Sequence, residues 1–424
     1  MTTIAGLVLF ITFFIFLIIG LPIALAIILS SIITLLLILP FDVTIVTAAQ
    51  RMVTGIDDFT MLAGIIMNNG SIAFRLVNFA KVLVGRLPGS LAHTNIVGNM
   101  LFGSISGSSV AAAAAMGRIM GPMEKTQGYK KEYSAAANIA SAPSGLLIPP
   151  SSLLIVYSLV SGGTSIAALF IAGYIPGILW GIACMIVAYV MAKKQGYKVS
   201  EKISWKDRLF LTLDALPSLF LIVVVIGGIV GGIFTATEGA AVAVLYSVVL
   251  SLIYKSLKIK QLSNVIKETA EISGMILFLI IASALFSLVM SYTGLPEAIS
   301  NGIISMTDNP IALLLLINVI LLVIGTFMDI TPAVLIFTPI FLPISEVLGL
   351  DPIHFGIIIA FNLCIGNITP PVGSALFVGA SVGGVRVESV FKYLIPYFVA
   401  LIILMLIITF IPQLSLFLPK LLGL

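Results

Sequence analysis

Charge is scarce in this sequence. Only 9% of its 424 residues are Asp, Glu, Lys or Arg, against about 25% in soluble domains, while 60% are hydrophobic. That balance excludes a water-soluble globular fold and makes the chain an integral membrane protein. Histidine is almost missing too: His93 and His354 each sit near the start of an apolar segment, where an interfacial anchor is the expectation. The two cysteines, Cys184 and Cys364, lie in apolar stretches of different halves and give no disulfide framework, so both read as packing residues. No P-loop lysine pattern, nucleophile motif, metal-ligand spacing or Gly-rich turn after a strand is present, which points away from an enzyme. Nothing basic precedes the first apolar run, Ile4 to Leu39, and no small-residue cleavage site follows a short apolar core, so no signal peptide is expected. The run is too long for one crossing of roughly 20 residues. Gly20-Leu21-Pro22 is placed to divide it.

Glycine and proline, scarce in most apolar helices, recur here in a matched pattern. Gly145, Ile148-Pro149-Pro150 and Gly162-Gly163 are answered, at an offset of 221 residues, by Gly366, Thr369-Pro370-Pro371 and Gly383-Gly384. With one residue of slippage, Gly103-Ser104-Ile105-Ser106 also matches Gly325-Thr326-Phe327-Met328. Two interrupted apolar segments at corresponding positions of two halves mark a secondary transporter built from repeats, often inverted, that meet at the substrate. The expected fold is therefore an all-α integral membrane protein, an inverted-repeat transporter with two re-entrant helical hairpins and two broken transmembrane helices. Its first repeat spans 1–192, with a hairpin at about 91–125 and a broken helix at about 132–165. The second spans 209–424, with a hairpin at about 310–346 and a broken helix at about 352–388. Between them, 193–208 carries Lys193, Lys194, Lys198, Lys202, Lys206 and Arg208, which the positive-inside rule places in the cytoplasm.

Charges elsewhere recur between apolar residues, as Asp57, Asp58, Arg75, Lys81 and Arg86 in the first half and Lys258, Lys260, Lys267, Glu268 and Glu271 in the second. These stretches are either amphipathic helices along the interface or ordinary connecting loops. Gly227, Gly228, Gly231 and Gly232 form two overlaid Gly-x-x-x-Gly pairs, which read as a close helix contact.

The first hairpin carries Gly103-Ser104-Ile105-Ser106-Gly107-Ser108-Ser109 and then a run of alanines up to Ala115. Small residues and hydroxyls can turn the backbone, and a half-helix starting near Ser108 would aim its free N–H groups and positive dipole end at an anion. The second carries Asp329-Ile330-Thr331-Pro332 in otherwise uncharged surroundings. A carboxylate at membrane depth is a functional-site hypothesis, yet Asp-x-x-Pro is also a helix-start pattern, and both readings stay open. The tandem prolines remove two N–H donors and disfavour helix before them, freeing carbonyl oxygens. Neutral carbonyl and hydroxyl oxygens suit a hard monovalent cation such as sodium; the alternative is that the prolines merely kink helices for packing.

On these motifs, above all Gly103 through Ser109, Ser141-Ala142-Pro143-Ser144-Gly145 with Ile148-Pro149-Pro150-Ser151, Gly325 through Thr331, and Gly366 through Pro371, the chain resembles the large membrane subunit of the tripartite ATP-independent periplasmic (TRAP) transporters. The resemblance covers nearly the whole length, is to the DctM type, and within it to the sialic-acid members. It implies a sodium-driven importer of an organic acid in the bacterial inner membrane, with an elevator-type moving domain of the ion-transporter superfamily. The implied partners are a small membrane subunit of about four helices and a periplasmic substrate-binding protein; nucleic acid is not among them. It also implies one sodium ion held around Gly103, Ser106, Gly145 and Ile148, and a second around Gly325, Gly366, Asn367, Thr369 and Val372. Ser106, Ser108, Ser109, Ser151, Asp329 and Thr331 fall on the substrate side. One departure is Leu62-Ala63-Gly64, where relatives carry a further short apolar stretch. Two other classes compete: a stand-alone sodium-coupled dicarboxylate or oxyanion transporter of related fold, and a channel.

Overall fold

The computed structural model of the chain describes residues 2–54, 71–197, 204–254, 259–294, 298, 302, 309–370 and 373–424, and all regular structure among them is helical. The Leu62 to Gly64 departure lies outside these residues, as do Asp57, Asp58, Lys198, Lys202, Lys258 and Val372. The first half runs α1 (Thr2–Ile18), α2 (Ile23–Ile38), α3 (Phe41–Thr54) and α4 (Ser71–Val84). A hairpin follows, α5 (Ser90–Ser106) and α6 (Ser109–Thr126), then a helix in pieces, α7 (Lys131–Ser141), α8 (Ser144–Leu147) and α9 (Ser152–Val160). The long α10 (Ile166–Gln195) closes this half.

The second half repeats the succession. Helices α11 (Trp205–Val230), α12 (Ala236–Ile253) and α13 (Ile259–Thr293) precede the hairpin α14 (Pro310–Phe327) and α15 (Ile330–Val347). A second interrupted helix, α16 (Pro352–Asn367) and α17 (Ser374–Gly383), leads into the long α18 (Val387–Phe410) and the short α19 (Gln413–Leu421). Gly20, in left-handed backbone (φ 88°), splits the first apolar run where expected. Among the described residues, five helices are long and apolar enough to cross a membrane, or six if Lys131–Leu147 and Ser152–Val160, bent by 48°, count as one span.

Each half lends its broken helix to the other. α17 packs on α6 and α7 of the first half, while α9 packs on α15 of the second. α10 supports the junction from behind: Trp180, fully buried, donates its indole N–H to the Ala140 carbonyl at 2.8 Å and lies against Phe361. Cys184 and Cys364 are buried and unpaired, as packing residues should be.

Several local expectations change. Part of the basic linker is helical: Lys193 and Lys194 sit in the last turn of α10, and Lys206 and Arg208 in the first turns of α11. Cations at a helix C-terminus complement its dipole. Gly231 and Gly232 end α11 rather than pack it, Gly232 taking φ 68° with nothing within 4 Å of an added Cβ among the described residues, and Phe234 folds back onto Gly228. The histidines are not interfacial anchors. His93 is buried in α5, and His354 is buried in α16 with its ring nitrogens facing the Ser415 hydroxyl and the Thr409 carbonyl. Where the charged stretches are described they are mostly helical: Arg75 and Lys81 lie in α4 and Lys260, Lys267, Glu268 and Glu271 in α13, while Arg86 follows α4 in a turn. α4 packs on α5 and α11, with Arg75 ion-paired to Asp214 at 3.2 Å and stacked over the Tyr254 ring.

Candidate functional site

The first hairpin turns where its sequence changes from bulky to small. α5 ends at Ser106, Gly107 adopts left-handed backbone (φ 61°), and its N–H closes on the Gly103 carbonyl at 2.8 Å. Ser108 then caps α6 by accepting the Ala111 N–H at 3.2 Å, as the serine-alanine pattern predicts. The Ser106 hydroxyl lies 3.4 Å from both the Gly103 and Ser108 carbonyls. Ser109 is buried and donates to Asn367 Oδ1 at 2.9 Å, joining this tip to the other repeat.

Against the tip lies the first break. Helix stops at Ser141, resumes for one turn, and Ile148 is extended before the prolines. Gly145 packs on Gly103 backbone to backbone: a Cβ on Gly145 would stand 2.2 Å from the Gly103 Cα. Ser151 is fully buried, caps α9 through the Leu154 N–H and donates to the Leu146 carbonyl, so its hydroxyl is committed inside the break. Its neighbour Ser152 reaches outward, donating to the Gly107 carbonyl at 2.7 Å.

The second hairpin meets the second break in the same way. A Cβ on Gly366 would stand 2.4 Å from the Gly325 Cα. Asp329 occupies the cap position of α15, yet its carboxylate makes no capping hydrogen bond. It is exposed and accepts instead from Ser374 at 3.0 Å and from Asn367 Nδ2 at 3.4 Å. Asn367 Nδ2 also donates to the Ser374 hydroxyl at 2.7 Å. Asp329 thus starts α15 without a side-chain cap, and its carboxylate meets Ser374 and Asn367 instead. Thr369 is half-buried with its hydroxyl donated to the Ile365 carbonyl at 2.6 Å, and Thr331 is half-buried in the first turn of α15.

Of the residues expected at the site, Gly103, Ser106, Gly145 and Ile148 thus gather at one hairpin and break, and Gly325, Gly366, Asn367 and Thr369 at the other. Ser109 and Asn367 bridge the two. Among the described residues no three of His, Cys, Asp and Glu converge; the oxygens gathered here are carbonyls and hydroxyls, with the single carboxylate of Asp329 beside Asn367. The bare glycine contacts fit that arrangement, because absent side chains let backbone carbonyls approach one another.

Sequence reasoning missed Ser374, Ser152 and a set of buried asparagines. Asn99 Nδ2 lies within 3.0 Å of Asn95 Oδ1, 3.0 Å of Asn138 Oδ1 and 2.8 Å of the Ser141 hydroxyl. The second repeat has a counterpart, Asn362 donating to Asn318 Oδ1 at 2.6 Å, with Ser141 and Asn362 at the repeat offset. The signal was available, since a primary amide inside an apolar helix must find a partner.

Known proteins share this architecture. The family described as "Tripartite ATP-independent periplasmic transporter, DctM component" matches residues 10–414. Uncharacterized protein YgiK of Salmonella typhimurium is 53% identical, over 98% of this chain and 97% of its own length. The sialic acid TRAP transporter large permease protein SiaM of Vibrio cholerae is 38% identical, over 88% of this chain and 89% of its own. The C4-dicarboxylate TRAP transporter large permease protein DctM of Pseudomonas aeruginosa is 37% identical, over 86% of each. In fold, the chain is similar to the crystal structure of the Alcanivorax borkumensis YdaH transporter, with TM-score 0.59, 14% identity and 87% of both chains covered.

Proposed function

This chain belongs to the DctM component family of the TRAP transporters, and we propose that it imports an organic acid, sialic acid (N-acetylneuraminate) first, driven by sodium. The protein is a TRAP large permease, a transporter and not an enzyme, and a multi-pass protein of the bacterial inner membrane. Its family works with a small membrane subunit and a periplasmic binding protein. In our reading that binding protein delivers the acid to this chain, and the hairpins and broken helices then slide as a block, elevator fashion, against the remaining helices.

The observation that carries the reading is the network Ser109, Asn367, Asp329 and Ser374, where both hairpin tips and the second break converge. The serine-rich tip with the capped α6 suits a carboxylate, because free helix N–H groups favour negative charge. Asp329 suits hydroxyls. A polyhydroxylated acid offers both, whereas a dicarboxylate would bring like charge against Asp329. In this proposal Gly103, Ser106, Gly145 and Ile148 hold one sodium ion, and Gly325, Gly366, Asn367, Thr369 and Val372 a second. Bound, each ion would neutralise freed carbonyl dipoles and lock a hairpin onto its break.

The test is uptake into vesicles containing this chain and its small subunit, with binding protein outside and an imposed sodium gradient. Sialic acid should accumulate only when both are present, and a C4-dicarboxylate should not compete. Uptake by this chain alone would favour the stand-alone transporter, and accumulation without a sodium gradient would remove sodium as the driving ion.

A further inference from the structure

One buried carboxylate takes no part in the site above. Glu124 lies in the last turn of α6, which is not among the helices long and apolar enough to cross a membrane, at the end of the molecule that holds the basic linker. There the Lys130 N–H donates to Tyr197 Oη just beyond α10, and Tyr129 stacks on Tyr197 at 4.2 Å. Glu124 is 1% exposed, and no cation lies within ion-pair distance of it among the described residues. Yet it is not sealed off. It forms the floor of a cavity of about 390 Å³, together with Asn95, Ser134 and Asn138, between α6, α7 and the last turns of α17. A carboxylate that is buried, without a cation partner and set against a cavity that polar and charged side chains partly line can exchange a proton with water, and its neutral form is the cheaper one to keep there.

A continuous polar path leads from it to the first break. Asn95 Nδ2 faces Glu124 Oε1 at 3.4 Å, Asn99 donates to Asn95 Oδ1 at 3.0 Å, and the same Asn99 amide reaches Asn138 and Ser141. Ser144, one residue before Gly145, donates to the Ser141 carbonyl at 2.6 Å. A change in the charge of Glu124 therefore alters what Asn95 donates to, and Asn95 is joined through Asn99 to buried groups of the first break.

We infer that Glu124 is a proton-binding site whose charge state, set by pH on the linker side, controls how the first hairpin seats against the first broken helix. Its surroundings agree. Burial raises the carboxyl to about 7 from the ordinary 4.5, with Ser134 and Asn95 offsetting part of the rise. Lys125 and Arg118 of α6 and Lys131 of α7 line the cavity, while α17 contributes Gly379, Val382 and Gly383 and no charge. The phenols of Tyr129, Tyr133, Tyr197 and Tyr397 lie near enough to feel its charge. Because the folded protein holds this proton more tightly than the unfolded chain, the site favours the folded packing fully below the unfolded value of 4.5. That contribution fades as pH rises toward and through about 7.

This goes beyond transport itself and has a readout that needs none. Infrared titration of the purified complex should show a protonated carboxyl band that disappears with a midpoint near 7 and is missing from Glu124→Gln. A band unchanged in the variant, or a midpoint near the ordinary 4.5, would overturn the proposal. In vesicles, the wild type should change its uptake rate severalfold as the pH on the linker side is raised from about 6 to about 8, and Glu124→Gln should hold one rate across that range. A variant that follows the wild-type profile would overturn it as well. If no acid is taken up at all, the function assigned above fails while the infrared result still decides this one.

Discussion

Gly145 lies so close to Gly103 that a methyl group on it would sit 2.2 Å from the Gly103 Cα, and Gly366 repeats this relationship with Gly325. Backbone meets backbone at both places, so no rotamer change relieves an added side chain. Gly145→Ala and Gly366→Ala should each destabilise the protein by about 3 kcal/mol, at the upper end of overpacking costs, and remove uptake. The control is Gly121→Ala in α6, where nothing lies within 4 Å of an added Cβ. That variant should be neutral or stabilise by up to about 1 kcal/mol through better helix propensity. Thermal unfolding in detergent of the three variants decides it; equal midpoints would refute the packing argument.

Asp329 is held by Ser374 and Asn367 while leaving its own helix uncapped. Asp329→Asn keeps the size and most of the hydrogen bonding but loses the charge. It should insert normally and take up acid at least tenfold more slowly, a loss of about 1.4 kcal/mol or more in transition-state terms. Ser374→Ala should weaken uptake less, since Asn367 still orients the carboxylate. If Asp329 served only as a helix start, Asp329→Asn would transport like the wild type, because asparagine caps as well as aspartate.

The breaks, hairpin limits and serine cap were legible in the sequence because their causes are local: Pro149 and Pro150 lack donors, Gly107 takes φ 61°, and Ser108 reaches a backbone only three residues on. What could not be read depends on partners distant in the chain. Nothing near Ser374 or Ser109 says that both would meet Asn367, which for Ser109 is 258 residues away. His93 and His354 look like interfacial residues until the helices around them close. Ser151 and Ser152 are equivalent in the sequence, and only the fold turns one inward and the other toward Gly107.

Arg75 fixes α4 to α11 and α12 by two contacts, the 3.2 Å pair with Asp214 and the stack over Tyr254 at 3.3 Å from the ring centre. The pair is partly solvated, with side chains 22% and 30% exposed, so its own contribution is small. A double-mutant cycle of Arg75→Ala and Asp214→Ala should give a coupling of about 1 kcal/mol that weakens with salt. Tyr254→Leu should then lose a further ~0.5–1 kcal/mol without changing the salt dependence. A coupling of zero would leave the Tyr254 stack and apolar packing to hold α4.

Thr369 tests the cation assignment most directly. Its hydroxyl donates to the Ile365 carbonyl at 2.6 Å, which leaves its oxygen able to accept or to ligate, while the Gly366 carbonyl receives the Thr369 N–H at 2.9 Å. Removing the hydroxyl takes away a neutral oxygen that sodium would use and frees the Ile365 carbonyl, but touches nothing on the Asp329 and Ser374 side. Thr369→Ala should therefore raise the sodium concentration for half-maximal uptake about tenfold, the effect of losing roughly 1.4 kcal/mol of binding, and leave the apparent affinity for the acid at saturating sodium unchanged. Thr369→Ser, which keeps the oxygen, should restore the wild-type sodium curve. Were both variants to show the same shifted curve, the methyl group rather than the oxygen would be the part that matters, and the second break would be a packing device instead of a cation site.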